Sequence, residues 1–208
     1  VLFAPGSSGT TIVGMPNGST SDTYTNTAGV TVPGVANRHV YAQTHPALRG
    51  KDVPMVFQTY AEVEFLKAEA AIRGWTSTDP KTHYDNGVTA AMKMLKQQYP
   101  ASTAITDAEI TTYLSGPGAY DASKGWEMCM NEYWKATFLN EYEAYSNWRR
   151  TGYPTLSPTK HPNSVSNGQI FRRMIYPGGE SATNGDNYAA AVARQGADDF
   201  MTRMWWDK

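Results

Sequence analysis

Thr-Tyr-Ala-Glu-Val-Glu-Phe-Leu-Lys-Ala-Glu-Ala-Ala-Ile-Arg-Gly-Trp, residues 59–75, decides the fold class of this chain. Thr59 and Glu62 have the spacing of a capping box, in which each side chain takes the other's backbone N–H. Gly74 follows Arg73 as a C-terminal stop. Between these signals Tyr60, Val63, Phe65, Leu66, Ala68, Ala70, Ala71 and Ile72 cover most of the circumference, the pattern of a helix packed on several sides. Glu62, Glu69 and Arg73 form its polar stripe, within about 40° of one another. Carboxylates on so apolar a helix require cationic partners.

Outward from this stretch the chain continues to read as helix. Asp79-Pro80 supplies an N-cap and a proline at the first helical position, for a helix running to about Tyr99 and stopped by Pro100. Gly87, Ala90 and Ala91 give it a small-residue face on which the first helix lies closely. Two such helices joined by a short turn resemble a tetratricopeptide-type hairpin, although that repeat's spacings fit poorly. A short helix over Asp107–Leu114 opens with a second capping box, Thr106 and Glu109. One long helix is expected over Ser123–Trp148, where Trp126, Met130, Tyr133, Trp134, Thr137, Phe138, Tyr142, Tyr145 and Trp148 recur at three- and four-residue steps as a core stripe. Cys129 within it reads as a buried small hydrophobe. Irregular chain follows from Arg149 to Asn184, then a short helix near Asp186–Gln195.

The expected class is therefore mainly α, with residues 59–208 as the helical portion. Residues 1–58 form a loop-rich segment of the same domain, with five charges (Asp22, Arg38, Arg49, Lys51, Asp52). Short β-favouring stretches there are Thr10–Val13, Gly29–Val35 and His39–Tyr41. Leu, Ile and Val are scarce in the 208 residues, whereas 13 Tyr, six Trp and six Phe supply large rings, and the net charge is −1. A ring-and-alanine core fits these numbers, and disorder throughout does not. No basic run marks nucleic acid as a partner, and no apolar stretch is long enough to span a bilayer. A single cysteine excludes an intrachain disulfide and a Cys-based zinc site. The chain opens Val-Leu-Phe-Ala-Pro with no Met or signal-like segment, as a mature product or a fragment would.

Catalytic constellations are hard to find. His39, His45, His83 and His161 show no metal-protease spacing, and neither a Gly-x-Ser-x-Gly elbow nor a phosphate-binding glycine loop is present. Glu62, Glu69, Glu127, Glu132, Glu141 and Glu143 all fall on helices, where solvated or ion-paired faces are the default, so a non-enzyme is expected. His39 with His45 is a weak metal pair. The Asn184, Asp186 and Asn187 turn is a calcium candidate set against a plain turn or helix cap. Two arginine pairs stand out instead, in Trp148-Arg149-Arg150-Thr151-Gly152-Tyr153-Pro154 and Phe171-Arg172-Arg173-Met174-Ile175-Tyr176-Pro177. They suit an anion site or, as the preferred reading, bidentate pairing with buried carboxylates such as Glu62 and Glu69.

These segments, with His-Tyr-Asp-Asn-Gly-Val (83–88), Glu180, Asn184, Asn187, Tyr188 and the terminal Trp205, Trp206, Asp207 and Lys208, follow one another as in the SusD/RagB family, in its second SusD-like branch. Residues 54–208 resemble the C-terminal half of such proteins, and Asn131–Lys135 departs from the pattern. The resemblance implies an α-rich fold of tetratricopeptide-like helix pairs in an outer-membrane, cell-surface lipoprotein of Bacteroidetes. It implies capture of nutrient glycans, or sometimes peptides, without catalysis, and delivery to a SusC-type TonB-dependent transporter. Cys129 is no lipobox cysteine, so the lipid anchor is expected on an N-terminal part absent from this sequence. In that setting Glu62, Glu69, Trp148, Arg149, Arg150, Arg172, Arg173, Trp205 and Trp206 are scaffold. Ligand candidates come from loop aromatics and their polar neighbours: Trp75; Tyr41 with Asn37, Arg38 and His39; and Tyr120 with Asp121. No cofactor is expected beyond the calcium candidate. The rival readings are a helical-repeat scaffold for protein–protein contact and a surface glycoside hydrolase.

Overall fold

Thr59 opens the first helix as its spacing predicts. Its Oγ1 accepts the Glu62 N–H at 3.1 Å while Glu62 Oε1 accepts the Thr59 N–H at 3.0 Å, closing a capping box at the head of α1, Tyr60–Ile72. The computed structural model describes residues 3–4, 12–14, 23–32, 34, 41–99, 105–158 and 160–207. Asp79 caps α2, Pro80–Gln98, by accepting from Lys81 and Thr82. A second capping box starts α3, Asp107–Ser115. Then come α4, Gly125–Ala136, α5, Glu141–Thr151, and α6, Glu180–Thr183, followed by α7, Gly185–Gln195. Strand is minor: β1, Phe3–Ala4, pairs antiparallel with β4, Gln43–Thr44, and β2, Tyr24–Thr25, with β3, Thr31–Val32. The fold is mainly α, as expected.

The chain forms two compact units. The first comprises Val1–Met15 and Arg38–Thr155, with a core shared by three helices. Ala61, Phe65 and Ala68 of α1 meet Tyr84 and Val88 of α2 and Cys129, Met130, Tyr133 and Ala136 of α4. The Phe65 ring lies edge-on to Tyr84 at 6.4 Å and tilted to Tyr133 at 6.2 Å, spacings at which aromatic quadrupoles attract. Gly87 is what lets α2 come this close, since a Cβ there would lie 2.7 Å from Phe65. Burial pushes the Cys129 thiol up to about 12, leaving it an inert hydrophobe.

Two expectations need correction here. α1 is not buried all round: Tyr60 is 62% exposed and Leu66 42%, while Glu62, Glu64 and Glu69 share the buried face. The helix packs by one face on α2 and α4, and that face is partly polar because each carboxylate has its own partners. The Ser123–Trp148 segment is also not one helix. Thr137 Oγ1 donates to the carbonyls of Tyr133 and Trp134, Leu139 turns left-handed at φ 74°, and Asn140 accepts from Glu143 N–H to cap α5. Side-chain bonds to the backbone have replaced the helical ladder. The aromatic stripe divides with it, so Tyr133 is buried while Tyr142 is 89% exposed.

The second unit comprises Pro16–Asn37 and Leu156–Lys208. Thr27 N–H donates to Lys160 O at 2.9 Å, and Tyr24 packs on His161 at 4.5 Å. α6 is a short helix ahead of α7 that the sequence reading does not separate from loop. Asp198 fixes the Tyr-Pro segment, accepting from Tyr176 N–H at 3.1 Å and Tyr188 OH at 3.2 Å.

Candidate functional site

Glu69 is the hub from which the site is built. On the buried face of α1 its Oε2 accepts from Arg150 Nη2 at 2.7 Å, and its Oε1 accepts from Arg73 Nε at 2.9 Å. Arg150 also donates to Asn147 Oδ1 at 2.7 Å, so its fork joins two elements: α5, which carries it, and α1. Among the described residues no arginine reaches Glu62. That carboxylate closes the capping box instead, and burial raises its pKa against the lowering effect of Thr59.

From Glu69 the order passes to Trp75. Gly74 sits left-handed at φ 71°. Its N–H donates to Ala71 O at 3.0 Å and the Trp75 N–H to Ala70 O at 2.8 Å, the two bonds of a Schellman cap. This aims the Trp75 side chain out of the helix end, where it is 70% exposed. The Arg73 guanidinium, held by Glu69, lies 5.0 Å from the Trp75 ring centroid and 4.5 Å from that of Trp126. Such cation–π contacts hold a ring without covering it. Sequence reasoning places Arg73 in a polar stripe and Trp126 in the core, and misses that both flank Trp75. The cap signal of Arg73-Gly74-Trp75 is the cue that joins them.

The remaining candidates fall elsewhere. Tyr120 packs on the buried Tyr84 at 5.2 Å, and Asp121 accepts from both Ser123 N–H and Ser123 Oγ as a turn cap. They belong to the packing around α4. Tyr41 is half-buried, and its neighbours Asn37, Arg38 and His39 lie outside the described residues. His45 caps a short 3-10 turn, accepting from Ala47 N–H. Asn184 accepts from Asn187 and donates to Glu180 between α6 and α7. Arg149 lies over the Tyr145 ring at 4.2 Å, and Tyr145 stacks on Trp148. In the second unit Arg172 Nε donates to Asp207 Oδ2 at 2.7 Å and Arg173 pairs with Asp198 at 3.1 Å. Trp206 is half-buried and Trp205 89% exposed.

Two cavities flank α2 in the first unit. One of ≈510 Å³ is apolar, walled by Leu48, Val53, Met92, Leu95, Ile105 and Phe138. The other, of ≈480 Å³, is polar and lies between the start of α1 and the length of α2. Glu64, which sequence reasoning leaves out, anchors this side. Burial raises its pKa, but bonds from His83, Lys67, Tyr60 and Asn86 outweigh that and hold it at about 2.

A family model described as starch-binding associating with outer membrane, SusD-like 2, matches residues 7–177. None of the curated proteins matches the chain. Among solved structures, a chitin-binding protein is 34% identical with a TM-score of 0.75, over 81% of this chain and 37% of its own. A SusD-like protein of Bacteroidetes AC2a is 32% identical with a TM-score of 0.76, over 85% and 35%. A SusD homologue from Bacteroides fragilis is 28% identical with a TM-score of 0.70, over 81% and 39%. The chain thus spans well under half the length of these relatives. Fold and family match agree: this chain belongs to the SusD-like family.

Proposed function

We propose that the protein captures nutrient oligosaccharides at the cell surface and passes them to a SusC-type TonB-dependent transporter in the outer membrane. The observation that carries this reading is Trp75, an exposed indole fixed by the α1 cap and by Arg73 rather than free to swing. A rigid aromatic face accepts the C–H side of a pyranose and loses little entropy on binding. The family description and the chitin-binding relative support a glycan as the ligand. Among the described residues no helix is long and apolar enough to cross a membrane.

The reading is non-catalytic. Carboxylates that a glycosidase would employ are engaged in structure: Glu69 by two arginines, Glu132 by Lys135 at 2.6 Å, and Glu143 by the Tyr133 hydroxyl at 2.7 Å. Titration calorimetry with chito- and malto-oligosaccharides tests the proposal. One of these series binds, and Trp75→Ala weakens that binding at least tenfold while Trp75→Phe keeps part of it. Unchanged affinity in Trp75→Ala overturns the choice of site, and sustained release of shorter sugars overturns the non-catalytic reading.

A further inference from the structure

The polar cavity along α2 has a composition unlike its apolar neighbour. Asn86, Thr89, Lys93 and Gln97 recur at three- and four-residue steps and line one wall with Gln98. This wall extends about 16 Å at the helical rise. Gln58 and Tyr60 bound the other side. Tyr60 is 62% exposed and stands one helical turn before Glu64 in α1. Glu64 is itself buried and held by His83 at 2.7 Å and Lys67 at 2.8 Å. The ring is therefore open to a ligand. The side chains of Gln58, Gln97 and Gln98 make no hydrogen bond among the described residues.

We infer that this groove is a second glycan subsite, distinct from Trp75, for a neutral, hydroxyl-rich chain of several sugar units. The inference rests on the glycan-binding reading above. Primary amides both donate and accept, as sugar hydroxyls do, and a row of them beside one aromatic ring is the lining a pyranose chain requires. An anionic ligand would need an unpaired cation. Lys93, the one charged side chain among the described lining residues, is paired with Asp107 at 2.8 Å. An apolar ligand would fit the neighbouring cleft better. The volume of ≈480 Å³ falls within the usual range for small-molecule sites, about 300–1,000 Å³.

Titration calorimetry with chitohexaose and maltohexaose, on the chain as it stands, tests the subsite. Tyr60→Ala and the double variant Gln97→Ala/Gln98→Ala each weaken binding of the preferred hexaose at least fivefold, and each adds to the loss in Trp75→Ala. Tyr60→Phe keeps the ring and stays within twofold of wild type. Melting curves confirm that the two glutamine changes, on the outside of α2, leave the fold intact. Wild-type affinity in both groove variants, with Trp75→Ala still impaired, overturns the subsite and leaves the proposed function standing. Failure of the wild-type chain to bind either hexaose overturns both.

Discussion

Arg150 and Arg172 each close on a buried carboxylate, but the two carboxylates belong to different kinds of structure. Glu69 sits mid-helix beside Phe65 and Ala68, in a unit that holds every buried apolar side chain among the described residues. Asp207 lies near the end of the chain in irregular backbone, and the buried side chains of its unit are Ser166, Arg173 and Asp207. In the first unit the ion pair locks helices that packing already brings together. In the second, ion pairs and backbone bonds such as Arg172 N–H to Phe200 O at 2.7 Å replace a core. The same Arg-Arg-aromatic-Pro pattern thus serves as a brace in one unit and as the main fastening in the other.

Breaking the brace should have the largest effect. Glu69→Ala leaves Arg150 and Arg73 without their shared anion and should lower stability by about 3 kcal/mol, the scale for removing one partner of a buried pair. Thermal denaturation reads the loss. Because Arg73 also steadies Trp75, tryptophan emission should change before unfolding begins, which a merely destabilised core would not produce.

Acid should expose Glu64 next. Its folded pKa of about 2 lies below the ordinary value of about 4.3, so the native state holds its proton less tightly than the unfolded chain does. The stability it contributes is complete above about pH 4.3 and is lost as pH falls towards 2. Urea unfolding of wild type and Glu64→Gln should therefore converge below pH 4.3 and separate above it. Curves parallel throughout would break the assignment.

Packing in the first unit is tested by Gly87→Ala. The added Cβ meets the fully buried Phe65 ring at 2.7 Å, so the ring must shift within the core it shares with Tyr84 and Tyr133. An overpacking cost of about 1–3 kcal/mol follows, visible as a lower urea midpoint with an unchanged slope.

How much of this was legible depends on how local the signal is. Caps at Thr59, Asp79 and Thr106 are read within four residues, and all three start helices. The small face at Gly87 is equally local. That the arginine pairs would meet carboxylates such as Glu62 and Glu69 was legible from the charged residues themselves, but not which arginine would do so: Arg150 reaches Glu69, and among the described residues none reaches Glu62. The break at 137–140 was hidden, since the aromatic spacing runs straight through it and only Thr137 and Asn140, ordinary in a helix, betray it. Asp198 and Asp207 gave no sign of being the carboxylates for Arg173 and Arg172, because pairing over such distances is decided by backbone that has no periodicity. For the candidate site, Trp75 was found as a loop aromatic, whereas its fixation by Arg73 and the polar wall of α2 emerge only when side chains from separate elements are placed together.

The second unit offers a smaller and more local test. Asp207→Asn keeps the size of the side chain and removes the charge that Arg172 and Arg203 share. Hydrogen exchange should quicken around 171–173 and 203–207 by roughly tenfold, about 1.4 kcal/mol of local stability, close to the lower end of the range for a charged hydrogen bond. The first unit should keep its protection.

Trp205 completes the comparison with the smallest effect. It belongs to the terminal Trp-Trp-Asp segment, yet its ring is 89% exposed while Asp207, two residues on, is 3% exposed. Exposed positions without special contacts tolerate change to within about 0.5 kcal/mol, so Trp205→Ser should leave both the melting temperature and the exchange pattern as they are. A loss comparable to that of Asp207→Asn would mean that the ring, and not the carboxylate, fastens the chain end. The contrast between a helical unit held by its core and a second unit held by its charges would then no longer stand.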